Sequence, residues 1–200
     1  VNIQQHEREK YENIWQTDQY NESFSPGEKY LPLFLDMTGR GPKTGFQGAH
    51  VLDAGCGAGK GALALLEAGF RVSCADVTDA GLLPALRDSL TVPFHTVCLW
   101  NSLRALGWFD YVYCTDVLEH IPPQFTMLVV ARLLALVRQE LFLSIAFVPD
   151  VMGVWVGKPL HETVQPFVWW RDNLASVGEL VQARDLIDCG AFLLRPRLTS

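Results

Sequence analysis

Asp53, Gly55, Gly57 and Gly59 follow an apolar run directly, in the stretch VLDAGCGAGKG, and read D-x-G-x-G-x-G. Glycines spaced this way let a chain turn tightly and bring backbone N–H groups close to a ligand. Asp76 ends a second apolar run, FRVSCAD. That is about the offset at which a carboxylate takes ribose hydroxyls. A third stretch, FDYVYCTDVLEHIPP, carries Asp116, Val117 and His120. The His120 imidazole titrates near neutral pH and suits a general base. His161, in GKPLHETVQPFVWW, is a second candidate for that role.

Three ligands compete for the glycine loop. A phosphate loop needs G-x-x-x-x-G-K-[ST], but Ala54 stands in place of the first glycine and Gly61 in place of the hydroxyl. A dinucleotide fingerprint can be placed on Gly57, Gly59 and Ala62, but it starts late for a turn that must begin at the strand end. The third possibility uses every feature. A carboxylate at the strand tip repels phosphate and favours a cation, and S-adenosylmethionine (SAM) carries both an ammonium and a sulfonium.

These residues need elements to hold them. AHVLDAG reads as a strand and KGALALLEAG as a helix closed by Gly69. FRVSCAD, FHTVCLW, FDYVYCTD and ELFLSIAFV read as further strands. Between them lie a connection broken by Pro84 and the apolar helix PPQFTMLVVARLLALVR. The strand runs are apolar throughout, as when helices cover both sheet faces. Such alternation predicts an α/β fold: a Rossmann-like, doubly wound, mostly parallel sheet in three α/β/α layers. At the end, ELVQARDLI and GAFLLRPR lie so close in sequence that they must form an antiparallel hairpin, after a helix over 166–178. Residues 48–200 form the core in this scheme. Residues 1–47 form a helical lid or docking segment, with Tyr11, Trp15 or Tyr20 near the ligand and a helix from Ser25–Pro26 to about Met37.

With VLDAGCGAGKGA, the Asp76 strand and D-V-L-E-H in order, the chain resembles the class I SAM-dependent methyltransferases over roughly residues 48–195. The resemblance implies that Gly55, Gly57 and Gly59 line the methionine end of SAM, beside the cation-favouring Asp53. It also implies that Asp76 holds the ribose, Val77 flanks the adenine, and Asp116 and Val117 line the crevice. Many members carry Gly-Asp-Ala after the third strand; here LWNSL stands there, so the adenine contact falls to Trp100 or Asn101. The resemblance implies methyl transfer to an oxygen or nitrogen of a small molecule such as a sugar or a nucleotide-linked sugar, with S-adenosylhomocysteine as product. His161, Thr163, Trp169 and Trp170 lie in the insert that covers the acceptor pocket in such proteins, and an exposed Trp there would stack on a sugar or a flat ring.

Two rivals stay open, a methyltransferase acting on nucleic acid or protein and a non-catalytic SAM-binding module. The chain has no D/N-P-P-Y/F/W after the fourth strand and no Pro-Cys nucleophile. Its 200 residues carry a formal charge of −6 without a basic run, which disfavours a nucleic acid partner. Cys56, Cys74, Cys98, Cys114 and Cys189 are odd in number and form no C-x-x-C pair. They read as buried core residues in a reducing, cytoplasmic compartment and not as a metal site. No metal ligand set, signal peptide or membrane span is expected, and the oligomeric state is left open.

Overall fold

A computed structural model describes residues 2–17, 26–39, 48–157 and 159–197. The expected cap Ser25, Tyr20 and most of the glycine-rich loop before residue 48 lie outside the described residues. Strands β1 (His50–Ala54), β2 (Arg71–Asp76), β3 (Phe94–Thr96), β4 (Phe109–Thr115), β5 (Val137–Ala146), β6 (Glu179–Asp185) and β7 (Cys189–Arg195) form one sheet. Their order is β3-β2-β1-β4-β5-β7-β6. β1 to β5 pair in parallel, and β7 runs antiparallel to both β5 and β6. The hairpin is therefore present, but its second strand is the inserted one, and β6 forms the half-covered edge.

Among the described residues, six α-helices accompany the sheet: α1 (Ile3–Trp15), α2 (Leu31–Met37), α3 (Lys60–Glu67), α4 (Pro84–Arg87), α5 (Pro123–Leu134) and α6 (Phe167–Val177). Side chains alternate across each strand, so neighbouring residues feed opposite layers. Leu52, Val112, Leu141 and Leu143 face one core with α5 and α6. Val51, Tyr111, Tyr113 and Phe142 face the other with α2 and α3. This is the three-layer arrangement expected from the uniformly apolar strands.

Phe34 of α2 anchors the second core. It is fully buried, and its ring centroid lies 5.9 Å from that of Phe70, 5.6 Å from Tyr111, 5.4 Å from Tyr113 and 5.6 Å from Phe142. Leucine cannot supply these four ring contacts, and it leaves part of the ring volume empty. Phe34→Leu is expected to cost about 1–2 kcal/mol in urea unfolding. A loss under about 0.5 kcal/mol would mean that α2 simply settles onto the sheet.

Three element boundaries differ from the sequence-based expectation. The helix expected from Pro26 is a 3-10 turn over Pro26–Tyr30 that passes into α2. Pro32 lacks an N–H and is accepted only in the first turn, so the α-helix begins there. β3 stops at Thr96, because the chain then bends into the cleft at the sheet tip, with the Val97 N–H donating to the Asp76 carbonyl at 2.7 Å. α5 ends at Leu134, since Val137 already belongs to β5, and Leu128 on its outer face is 40% exposed.

Candidate active site

β1, β2 and β4 all point their C-terminal ends at one cleft. In open α/β sheets that is where the chain leaves the sheet and ligands are received. The cleft offers about 890 Å³ of empty space, open solvent at its mouth included. Asp53, Gly55, Gly57, Asp76, Val77, Trp100, Asp116, Val117 and His120 line it, as do Cys56, Gly61, Cys98, Leu99 and Thr115. Glu7, Tyr11 and Trp15 of α1 line it from the N-terminal side, with Pro26 and Gly27.

The glycine loop is set by hydrogen bonds to Asp76. One carboxylate oxygen accepts from the Gly57 N–H at 2.8 Å, and the other accepts from the Val77 N–H at 2.7 Å. Gly55 has φ +76°, and a Cβ on it would lie 2.4 Å from Val117 Cγ2. The left-handed turn and the close approach of Val117 both require glycine at this position.

Asp53 is 2% exposed, and its Oδ2 has no hydrogen-bond partner. Burial, and then the neighbouring Asp76 charge, push its carboxyl up to about 7. An orphaned carboxylate oxygen at the wall of a cleft is a receptor for a positive group. Asp116 stands at φ +52°, rare outside glycine. The Ser144 hydroxyl donates to its Oδ1 at 2.9 Å, and the Tyr30 hydroxyl donates to Oδ2 at 3.5 Å. Burial raises the Asp116 carboxyl, and the Ser144 hydrogen bond opposes this.

His120 closes the far side of the cleft. Its Nδ1 lies 3.2 Å from the Leu160 carbonyl. A carbonyl only accepts, so Nδ1 carries the proton and Nε2 keeps a bare lone pair. Burial, followed by His161, lowers this imidazole to about 3. The His120 ring therefore stays neutral at ordinary pH. His161 does not line the cleft, but its ring centroid lies 4.7 Å from that of His120.

Several sequence-based assignments need correction. Gly59 does not line the cleft; it caps α3 at φ +84°, and a Cβ there would meet Leu86 Cδ1 at 2.1 Å. Asn101 also lies off the cleft, its Oδ1 accepting from Gln4 Nε2 of α1. Trp100 lines the cleft while stacked on Phe125 at 5.1 Å. Trp170 is fully buried in the core, and the half-buried Trp169 packs on the same cluster, so neither offers a face to the cleft. Thr163 is buried, and its hydroxyl donates to the Ile121 carbonyl at 2.8 Å. Glu119 is fully buried, and one of its oxygens accepts from the Ala146 N–H at 3.0 Å.

Two contributors went unread in the sequence. Gly27 packs so near α3 that a Cβ on it would lie 3.0 Å from Gly61 Cα. Tyr30 reaches Asp116 from 86 residues away. The Pro-Gly pair at 26–27 is the only local mark of either.

No family model matches the chain. A ubiquinone biosynthesis O-methyltransferase from Aromatoleum aromaticum is 31% identical over 128 residues, covering 61% of this chain and 54% of the relative. A magnesium-protoporphyrin O-methyltransferase from Synechocystis is 31% identical over 117 residues, covering 56% and 50%. The chain thus spans about half the length of the curated relatives it matches. Among solved structures, magnesium protoporphyrin IX methyltransferase from Synechocystis with bound SAM has a TM-score of 0.70 over 98% of both chains, at 19% identity. A 1,6-didemethyltoxoflavin N1-methyltransferase from Burkholderia thailandensis gives 0.63 at 18% identity, over 97% of this chain and 87% of the other. With this strand order and glycine loop, the chain has the fold of the class I SAM-dependent methyltransferases and is similar in sequence to members of that class over more than half of its length.

Proposed function

We propose that the protein transfers a methyl group from SAM to an oxygen or nitrogen of a small molecule. The observation that carries this is the Asp53 carboxylate, buried beside the glycine loop with one oxygen unpaired. A phosphate or a dinucleotide would be repelled there, whereas the ammonium of SAM supplies the missing charge. In this reading Asp76 receives the ribose hydroxyls, and Val77, Leu99 and Trp100 flank the adenine. SAM supplies an electrophilic methyl carbon when bound. The chain's own task is to orient an acceptor, exclude water and relieve the acceptor of its proton.

The acceptor end is the His120 side of the cleft, where a neutral imidazole with a free Nε2 can act on an acceptor group. The names of the relatives, ubiquinone and magnesium-protoporphyrin O-methyltransferases, favour an oxygen of a small metabolite. With Trp169 and Trp170 away from the cleft, a sugar has no stacking platform there. Tyr11 and Trp15 instead favour a flat acceptor. No helix among the described residues is long and apolar enough to cross a membrane. The five free cysteines support a reducing, cytoplasmic setting.

Calorimetric titration with SAM and S-adenosylhomocysteine is the test, followed by an acceptor screen with phenols, carboxylates and sugars. Micromolar binding of both ligands is expected. A folded protein that binds neither would end the proposal.

α1 serves as the lid in this scheme. Its Trp15 ring lies flat on Gly81, where a Cβ would stand 2.2 Å from Trp15 Cδ2. Gly81→Ala must push that ring away and is expected to weaken SAM binding about tenfold, roughly 1.4 kcal/mol, and to speed proteolysis of α1. Unchanged affinity would show that α1 does not close over the cofactor.

A further inference from the structure

Glu119, His120 and His161 form a cluster at the far side of the cleft. One ligand-capable atom from each lies within 4.8 Å of those of the other two. The cluster is assembled by backbone hydrogen bonds between segments about 40 residues apart. The Glu119 carbonyl accepts from the Glu162 N–H at 2.7 Å and from the Thr163 N–H at 2.9 Å. The Asp150 carboxylate accepts from the Leu160 N–H and the His161 N–H. His161 is therefore held beside His120 by its own main chain.

The hydrogen bonds leave every free atom of this cluster a lone pair. His120 donates through Nδ1 to the Leu160 carbonyl, and His161 donates through Nδ1 to the Val148 carbonyl at 2.6 Å. Both Nε2 atoms are therefore unprotonated in the neutral rings. Glu119 is fully buried, and its Oε2 has no partner. Burial raises the Glu119 carboxyl; once it is ionised, three acceptors stand together with no donor among them, which is unfavourable in a protein interior unless a cation lies between them. Histidines whose Nδ1–H is fixed by a carbonyl have the arrangement seen behind metal-binding Nε2 atoms.

We propose that Glu119, His120 and His161 bind one divalent first-row transition cation at the acceptor end of the cleft. Two imidazoles and one carboxylate suit such an ion better than Mg²⁺ or Ca²⁺ and leave coordination positions open. Ligand atoms around it would sit about 3 Å apart, so small side-chain rotations close the site. A carboxylate with two neutral rings is undercharged for a dication, and the nearby Asp116 adds a second negative group.

The site stands on these side chains alone; its role in catalysis rests on the proposed methyl transfer. The cation would coordinate the acceptor hydroxyl and lower its pKa, with the proton leaving to bulk water. The oxygen lone pair then forms the C–O bond, while the C–S electron pair returns to sulfur as the neutral thioether. His120 thus acts through the ion and does not take the proton itself.

The test uses chelator-treated protein titrated with Co²⁺ and followed by visible absorption, with Zn²⁺ by calorimetry. Parallel SAM titrations read the cofactor site. One equivalent of Co²⁺ at micromolar affinity is expected, weakened at least 100-fold in Glu119→Gln and His161→Ala, with the SAM affinity of His161→Ala within threefold of the parent. His161 is only half-buried, so this variant keeps the test valid if Glu119→Gln fails to fold. A parent that takes up neither Co²⁺ nor Zn²⁺ would overturn the site. So would Co²⁺ binding that His161→Ala leaves intact, because the ion would then sit elsewhere. Co²⁺ binding without SAM binding would keep the site and remove the methyltransferase proposal. Methyl transfer undiminished by the chelator would return His120 to the role of direct base and overturn the catalytic part.

Discussion

Asp76→Ala is expected to weaken SAM binding about a thousandfold, roughly 4 kcal/mol, with the fold retained. Asp76 accepts charge-assisted hydrogen bonds from the N–H groups of Gly57 and Val77. Such bonds contribute about 1.5–3 kcal/mol each, and both are lost together. The cost falls on the loop and not on the core. Gly57 stands at φ +53° and loses the acceptor that holds it there, while the β1–β2 ladder stays intact. The proposed ribose contact is lost in the same step. Asp76→Asn retains one acceptor oxygen and should lose only about tenfold. Isothermal calorimetry with unchanged far-UV dichroism is the measurement. A thousandfold loss with altered dichroism would place the effect in the fold, and a loss under tenfold for the alanine variant would remove Asp76 from the site.

Asp53→Asn is expected to stabilise the free protein while disabling cofactor binding. The Asp53 carboxyl is raised to about 7 by burial and by Asp76. In the unfolded chain it ionises near 3.8. Below that value both states hold the proton, and the group costs nothing. As pH rises from 4 to 7, the unfolded chain releases the proton and the folded protein keeps it. The unfolded state is thereby favoured, and the stability present at acid pH is lost. Asparagine removes this dependence. The stability difference between variant and parent should grow by roughly 2–4 kcal/mol between pH 4 and pH 7 and then level off. Urea unfolding of both proteins across that range reads it directly. A difference that stays flat with pH would mean that Asp53 is already ionised in the folded protein. Under the proposed function, SAM binding to the parent near pH 6 should release a proton. The apparent binding enthalpy of the parent would then change with the ionisation heat of the buffer.

Such a carboxylate is poorly placed for stability and well placed to receive a cation. Gly61 allows this packing, since a Cβ on it would lie 3.0 Å from Asp53 Oδ2. Neither cost is visible until β1 and α3 are packed together, although both residues stand in the glycine-rich stretch.

Local pattern carried the reading where structure is local. The seven strands follow from short apolar runs, and the glycine loop follows from residues that need positive φ within five positions. The structure departs from that pattern where a residue's surroundings come from distant chain. Asn101 looked like an adenine contact because it follows β3, yet α1 occupies its amide through Gln4. Gly59 belonged to the glycine motif, yet its lack of a Cβ makes room for Leu86 and not for a ligand. Trp169 and Trp170 suggested a stacking surface, but helix packing turned one wholly into the core and laid the other against it. The end of α5 had no glycine or proline to mark it, so the expected helix ran into β5.

From its sequence alone, this protein is legible as a doubly wound α/β chain with a carboxylate-headed glycine loop, because side-chain alternation, turn conformation and charge act over a few residues. Only the tertiary structure decided that Asp53 keeps an unpaired oxygen and that α1 lines the cleft. It alone also placed His161 beside His120 and Glu119. Those outcomes depend on backbone hydrogen bonds and close packing between segments remote in sequence, and a peptide N–H or carbonyl is the same whatever residue carries it.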